Sequence, residues 1–418
     1  MKLYTWTCAA ATLLIMTAPV CSASAGQSGH AHESLRLDPS LSLHEVVETA
    51  LMVYPEWQVQ QKRQEQADAW VQRGRSWLLN RPSLMLRYQT DRWGSDDGLV
   101  EYEAGIELPL WTWGGRSAVQ SFGQALASES GAAAKALRWE VSGMVRMALW
   151  DIASAESAHE LAKQSREMAA RLLKTVERRH ELGDIALRDV LLARSTYLDY
   201  QSKLIEANAE LLDAERAYRA FTGLDRHPEL VAETRSELAE IKLTHPALAL
   251  AESVVQRAEA GVAVTRETSD AGATVLIGTR RERPAFGTML DDSIGVTVNL
   301  PFAGSTHRKT AITEAARTAA EASATLNQQM RQLTLAMHEA EHSLTVIAKN
   351  LVNASQQFEV AEQQLKMAEN AYQSGEIDLI DMLKIEEIAV TARYQLAQLQ
   401  IDKKRQTALY NQASGELP

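Results

Sequence analysis

Residues 330–372 read MRQLTLAMHEAEHSLTVIAKNLVNASQQFEVAEQQLKMAENAY. Their apolar members are Met330, Leu333, Met337, Ala340, Leu344, Ile347, Leu351, Ala354, Phe358, Ala361, Leu365, Ala368 and Tyr372, in strictly alternating steps of three and four. An apolar residue about every 3.5 positions is the a/d seam of a coiled coil. That period is slightly shorter than the repeat of a straight helix, so the helix must supercoil left-handed to keep its seam on a partner. Neither Gly nor Pro falls between Arg308 and Ser374, which predicts one helix of 67 residues. At about 1.5 Å of rise per residue it spans roughly 100 Å. A single compact core has no use for a rod of that length.

Outward from the rod, one plan occurs twice. In the first half Ser42-x-x-Glu45 is a capping box that opens a helix running to about Asn80. Strands follow at 83–92 and 99–108, ended by Pro109, and then a long helix at 116–182. Gly183-Asp184 breaks it, and a returning helix closes at Thr222-Gly223. In the second half Pro246 sits well for a first helical turn. Strands are expected at 273–282 and 293–300, ended by Pro301. The helix 308–374 comes next, then Gly375-Glu376, then a returning helix to about Ala413. Pro109 and Pro301, Gly183 and Gly375, and Gly223 and Gly415 are each 192 residues apart. Landmarks in step over such a span predict an internal duplication, 42–223 and 242–418, joined by a linker at 224–241.

Each expected strand alternates. Leu84, Leu86, Tyr88, Val100, Tyr102, Ile106 and Leu108 occupy one face of the first pair; Arg87, Glu101, Glu103 and Glu107 occupy the other. Two readings fit. A barrel with lipid outside and water inside needs this alternation, and Arg87, Glu101, Glu103 and Glu107 would then face the lumen. A soluble antiparallel sheet with one wet face shows the same pattern.

Bulk composition narrows the field. The net charge is −11, from 43 basic and 54 acidic residues without a basic cluster, which argues against nucleic acid as a partner. Residues 1–25 read as a secretory signal: Lys2, an apolar run from Ala9 to Val20, then Ala23-Ser24-Ala25, with the mature chain expected from Gly26. Both cysteines, Cys8 and Cys21, fall in this leader; a lipid anchor on Cys21 is the competing reading there. Residues 26–41 are polar and read as a mobile N-terminal segment.

Two histidine patterns invite metal chemistry. His338-Glu339-Ala340-Glu341-His342 matches the zinc-protease helix H-E-x-x-H. With Met337 at a and Ala340 at d, however, both histidines point away from the seam, and a lone rod builds no cleft. His30 and His32 could bind a divalent ion weakly, but a solvated tail has the same composition. No catalytic residue and no cofactor is expected.

Several motifs together resemble the TolC-type outer-membrane efflux ducts: Gly105-Ile-Glu-Leu-Pro-Leu110, Gly295-Val-Thr-Val-Asn-Leu-Pro-Phe302, and the helix breaks Leu182-Gly-Asp-Ile-Ala-Leu-Arg-Asp-Val-Leu191 and Ser374-Gly-Glu-Ile-Asp-Leu-Ile-Asp-Met-Leu383. The resemblance covers about residues 42–417, in both halves. It implies a mainly α fold with a small β part. Three chains would form a twelve-stranded outer-membrane barrel continued by a twelve-helix periplasmic tunnel. It further implies a periplasmic adaptor and an inner-membrane pump of the RND type as partners, in a Gram-negative cell. Gly183 and Gly375 would turn the chain at the periplasmic tip. Asp189 and Asp381 resemble the family's tip-lining aspartates and Tyr372 its gate tyrosine. Ile377 and Lys384 depart from the charges that other members carry there. The residues alone fit simpler readings too: each Asp is a first-turn acid favoured by the helix dipole, and Tyr372 is the last seam residue. Chain length and the 374–383 break look most like the ducts of heavy-metal exporters. A soluble periplasmic coiled-coil spacer is the alternative.

Overall fold

The computed structural model describes residues 34–229, 232–268, 272–301 and 305–418. The expected leader and His30 and His32 lie outside them. Within Leu35–Pro418 the elements run β1 (Arg36–Leu37), α1 (Leu43–Val53), α2 (Glu56–Arg75), β2 (Ser83–Thr90), β3 (Val100–Pro109), α3 (Gly115–Glu181), α4 (Leu187–Thr222) and β4 (Arg226–His227). They continue as α5 (Pro246–Thr268), β5 (Thr274–Arg283), β6 (Asp291–Asn299), α6 (Ser305–Ser374) and α7 (Leu379–Ser414).

The 330–372 seam lies along α6, and every one of its residues is buried or half-buried. Leu365, Ala368 and Tyr372 pack with Leu379, Met382 and Ala389 of α7 and with Val176, Val190 and Ala193 of α3 and α4. The two hairpins thus share one apolar core near their turns. His338, Glu339 and His342 are exposed on the far side of the same helix. Among the described residues no helix is long and apolar enough to cross a membrane.

Three expectations need correction. The helix expected from Ser42 to about Asn80 is two helices, because Tyr54 adopts an extended backbone before Pro55. A residue ahead of proline is driven out of the helical region by the ring. The capping box at its start is complete: Ser42 Oγ accepts from the Glu45 N–H and Glu45 Oε2 accepts from the Ser42 N–H. Second, the segment 26–41, expected to be mobile, contains β1, and Leu35 is buried in a core of Val46, Val47, Val141, Val145 and Tyr218. Third, the expected linker contains β4, which pairs in parallel with β1. Arg36–Asp225 and Arg226–Asp38 ion pairs, both 2.7 Å, flank that pairing.

The rest of the linker is fastened to the end of α7 by a polar network. Arg146 of α3, 4% exposed, donates to Glu233 Oε1 and Oε2 at 2.8 and 3.1 Å, to Gln412 Oε1 at 2.6 Å and to the Glu416 carbonyl at 3.2 Å. Asn411 Nδ2 donates to the same Glu233 carboxylate at 3.0 Å. Replacing one member of a buried charge pair leaves the other unpaired, at a cost of about 3 kcal/mol. Arg146→Ala is therefore expected to lower the thermal unfolding midpoint of the purified protein, followed by helical circular dichroism in detergent. An unshifted midpoint would show that the network carries no stability.

Candidate functional site

The four-stranded antiparallel sheet has the order β2-β3-β5-β6. Its register puts Arg87 opposite Glu103, Glu103 opposite Arg280, and Glu101 opposite Glu282. Side chains alternate along strands, so Arg87, Glu101, Glu103, Glu107, Arg280, Glu282, Asp291 and Ser293 share one face. The other face carries Leu84, Leu86, Tyr88, Tyr102, Ile106, Ile277, Ile294, Val296 and Val298, all exposed. In β3 the usual order of burial is reversed. Glu101 is buried and Glu103 and Glu107 are half-buried, whereas Tyr102, Ala104 and Ile106 stand in the open. A sheet in water hides its apolar face; in β3 it is the acidic face that is hidden.

Ion pairs knit the polar face. Arg280 Nη2 lies 2.9 Å from Glu101 Oε2 and 2.5 Å from Glu282 Oε2. Arg87 Nη1 lies 3.8 Å from Glu103 Oε2, and Ser83 Oγ donates to Glu107 Oε2 at 3.2 Å. Arg280 was not legible as a site residue, because Arg280 and Arg281 are adjacent and only the register decides which faces the acids. Midway along this face Gly105, Gly278 and Gly295 lie side by side on successive strands. A Cβ on Gly278 would meet the Ala104 carbonyl at 2.6 Å, so β3 and β5 approach here as only glycine allows.

Tryptophans gather where the sheet meets the helices. Trp77 and Trp113 are exposed, and Trp111 donates from Nε1 to the Ser76 carbonyl at 3.0 Å. Trp93 is exposed in the β2–β3 loop at the opposite end. Membrane barrels place aromatic rings in the same way, at both ends of an apolar band.

At the far end of the rods the two hairpin turns close alike. Gly183 (φ 81°) and Gly375 (φ 84°) are left-handed. The Gly183 N–H bonds the His180 carbonyl and the Asp184 N–H the Arg179 carbonyl, while Gly375 and Glu376 bond Tyr372 and Ala371 in the same way. This is the Schellman closure, which favours glycine at the left-handed position.

Three of the tip residues come together across the hairpins. The Arg179 guanidinium lies over the Tyr372 ring, 5.2 Å from its centroid, and Nη1 donates to the Tyr372 carbonyl at 3.2 Å. The Tyr372 hydroxyl is buried and makes no hydrogen bond of normal geometry. Burial pushes its pKa above the ordinary phenol value, Arg179 opposes the shift, and the Asp189 charge adds to it. Asp189 is held by Arg188 Nε at 3.2 Å. Asp381 stands apart: its backbone N–H bonds the N-cap Asp378 Oδ1 at 2.8 Å and its side chain takes Lys384 Nζ at 3.2 Å. Arg179 went unnoticed in the sequence because it sits in a basic last turn with Arg178 and His180, as the helix dipole favours.

Residues 46–224 match the family described as outer membrane efflux protein. Over 318 residues the chain is 25% identical to the cobalt-zinc-cadmium resistance protein CzcC of Cupriavidus metallidurans, covering 69% of this chain and 71% of that one. The fold is similar to that of the outer membrane protein VceC of Vibrio cholerae, with a TM-score of 0.71, 17% identity, and 90% and 97% of the two chains covered. It is equally similar to the CmeC outer membrane channel of Campylobacter jejuni, with a TM-score of 0.71, 16% identity, and 89% and 85% covered. With its mainly helical fold and small sheet, the chain is similar to the outer membrane efflux proteins, in sequence over residues 46–224 and in fold over most of its length.

Proposed function

We propose that three copies of this chain close a twelve-stranded barrel in the outer membrane and a twelve-helix tunnel in the periplasm, and that the tunnel passively conducts metal cations handed on by an inner-membrane pump of the RND type through a periplasmic adaptor. The observation that carries this reading is the reversed sheet. Its apolar face is covered by none of the described residues, and a water-soluble spacer would leave it wet, at about 25 cal/mol per Å². Strands of eight to ten residues match the span of a bilayer. Four strands are too few to enclose a lumen, and the outer edges of β2 and β6 are unpaired among the described residues. Pairing β6 of one copy with β2 of the next closes the ring. On α6 a second apolar stripe, Val346, Val360 and Met367, is exposed at multiples of seven residues, as a helix of a neighbouring copy requires.

The helix of 70 residues extends about 105 Å at the usual rise. The cargo assignment rests on the named resistance of the Cupriavidus relative and on the acid excess of the polar face. A wall of carboxylates draws in cations, and partial pairing with Arg87 and Arg280 keeps them from being trapped. At the tip the Arg179–Tyr372 contact holds the two hairpins together, while Asp189 and Asp381 set the charge at the narrowest turn.

Extracted without heating, the protein should migrate as a trimer and form cation-preferring pores in planar bilayers; a monomer without conductance would end this reading. A strain lacking the protein should become sensitive to cobalt, zinc or cadmium salts, and unchanged tolerance to all three would remove the cargo assignment. Val296→Arg, on the apolar face midway along β6, should cost about 2–4 kcal/mol and reduce membrane-assembled trimer, whereas Glu103→Gln on the opposite face should leave assembly intact and weaken cation preference. Equal assembly for the two would mean that the apolar face does not meet lipid. Asp189→Ala combined with Asp381→Ala should raise conductance several-fold; no change would exclude both residues from the gate.

A further inference from the structure

The two hairpins turn alike, and one of the charge differences between them lies within the coil. Helices α4 and α7 are each 36 residues long. At the 192-residue offset Leu187, Val190 and Arg194 correspond to Leu379, Met382 and Glu386, and Glu177 corresponds to Glu369. In the first hairpin Arg194 Nη2 pairs with Glu177 Oε1 at 3.0 Å. In the second hairpin both positions carry acids.

The second site is also the more enclosed. Arg194 is exposed, whereas Glu386 is 1% exposed because α3 packs against α7 there. Leu379, Met382, Glu386 and Ala389 follow one another in steps of three, four and three, so a carboxyl group occupies a seam position of the coil. Both of its oxygens are buried and neither has a hydrogen-bond partner. The charged groups that act on it are Glu369 at the rim of α6 and Arg171 at the rim of α3. Tyr200 of α4 and Glu387 of α7 lie close by, and the groove holding Arg171 and Glu369 also carries Glu167, Lys366 and the Glu362–Arg393 ion pair. Burial first, and the Glu369 charge second, push the Glu386 carboxyl up to about 7, with Arg171 opposing. The Tyr200 phenol is itself pushed up to about 12, so near neutral pH it holds its proton and takes none from Glu386.

We propose that Glu386, with Glu369 beside it, is a proton-sensing site that sets the pH at which the α6–α7 hairpin stays packed against α3 above the tip. This rests on reading the tip as the gate of an exit duct. With its proton, Glu386 is a neutral seam residue. Without it, an unpartnered charge sits in an apolar core next to a second acid. The folded-state pKa lies above the ordinary 4.5, so the stabilisation is complete at acid pH and is lost as pH rises through about 7. The hairpins should therefore be tight in acid and loose in mild alkali.

The test uses the full-length protein with spin labels at Glu181→Cys and Glu376→Cys, both exposed at the turns. Inter-label distances and single-channel conductance are followed from about pH 5.5 to about pH 8.5. The distance distribution should broaden and conductance rise several-fold across the neutral range. Glu386→Gln, nearly isosteric, should hold the tight state at every pH, and Glu369→Gln should move the transition to lower pH, because removing the neighbouring negative charge lets Glu386 give up its proton more easily. Retention of the parental profile by Glu386→Gln, or no transition in the parent, overturns the proposal. A label transition without conductance at any pH would sink the duct reading and leave the proton site standing. Conductance without a pH-dependent transition would do the reverse.

Discussion

A sheet whose apolar side faces outward and whose carboxylates face inward cannot be at rest in water, and the architecture follows from that constraint. The apolar side needs a medium that does not hydrogen-bond, which a bilayer supplies. Inside that medium no strand edge can stay open, because each unpaired N–H and C=O would be left without a partner. Among the described residues the four-stranded sheet has two such edges, at β2 and β6. In the proposed assembly the sheet therefore closes with copies of itself, every helix attached to it is carried into a ring, and the rods lie around an axis because the strands do.

The long-range plan was legible because its signals are redundant. The α6 seam repeats through thirteen apolar positions, and a single substitution does not erase a period. The strands were legible as strands but not as lipid-facing. Alternation identifies two faces and says nothing about which one meets water; the buried Glu101 and the exposed Ile294, Val296 and Val298 are what support the lipid-facing reading. The break at Tyr54–Pro55 was hidden because the helical pattern resumes on the other side of the proline. The two-residue strands β1 and β4 are too short to show a period at all. Arg146, Arg179 and Arg280 share another reason. Each acts on residues distant in the chain, and only the fold brings them together.

The duplicated backbone makes the differences between the halves informative. Both hairpins turn at a left-handed glycine with the same pair of hydrogen bonds, so the geometry of the turn does not distinguish them. Their charges do. The first ends in Arg178, Arg179 and His180, and the second ends without a basic residue in its last turn. That asymmetry lets Arg179 reach across to Tyr372, where a like-charged pair of ends would repel.

The same asymmetry locates where the assembly can give. The first hairpin spans its coil with an Arg–Glu pair at the surface, where solvent screens the charges. The second places a lone acid in the seam. Apolar neighbours such as Met382 and Ala389 hold that seam together, and Glu386 detracts from it whenever the proton leaves. Of two hairpins with one fold, the one whose core contains an ionisable group has the less secure packing, and it is the one that supplies Tyr372 to the contact between them. On the proton-site proposal, movement at the tip begins in α6 and α7, with α3 and α4 as the frame against which they shift.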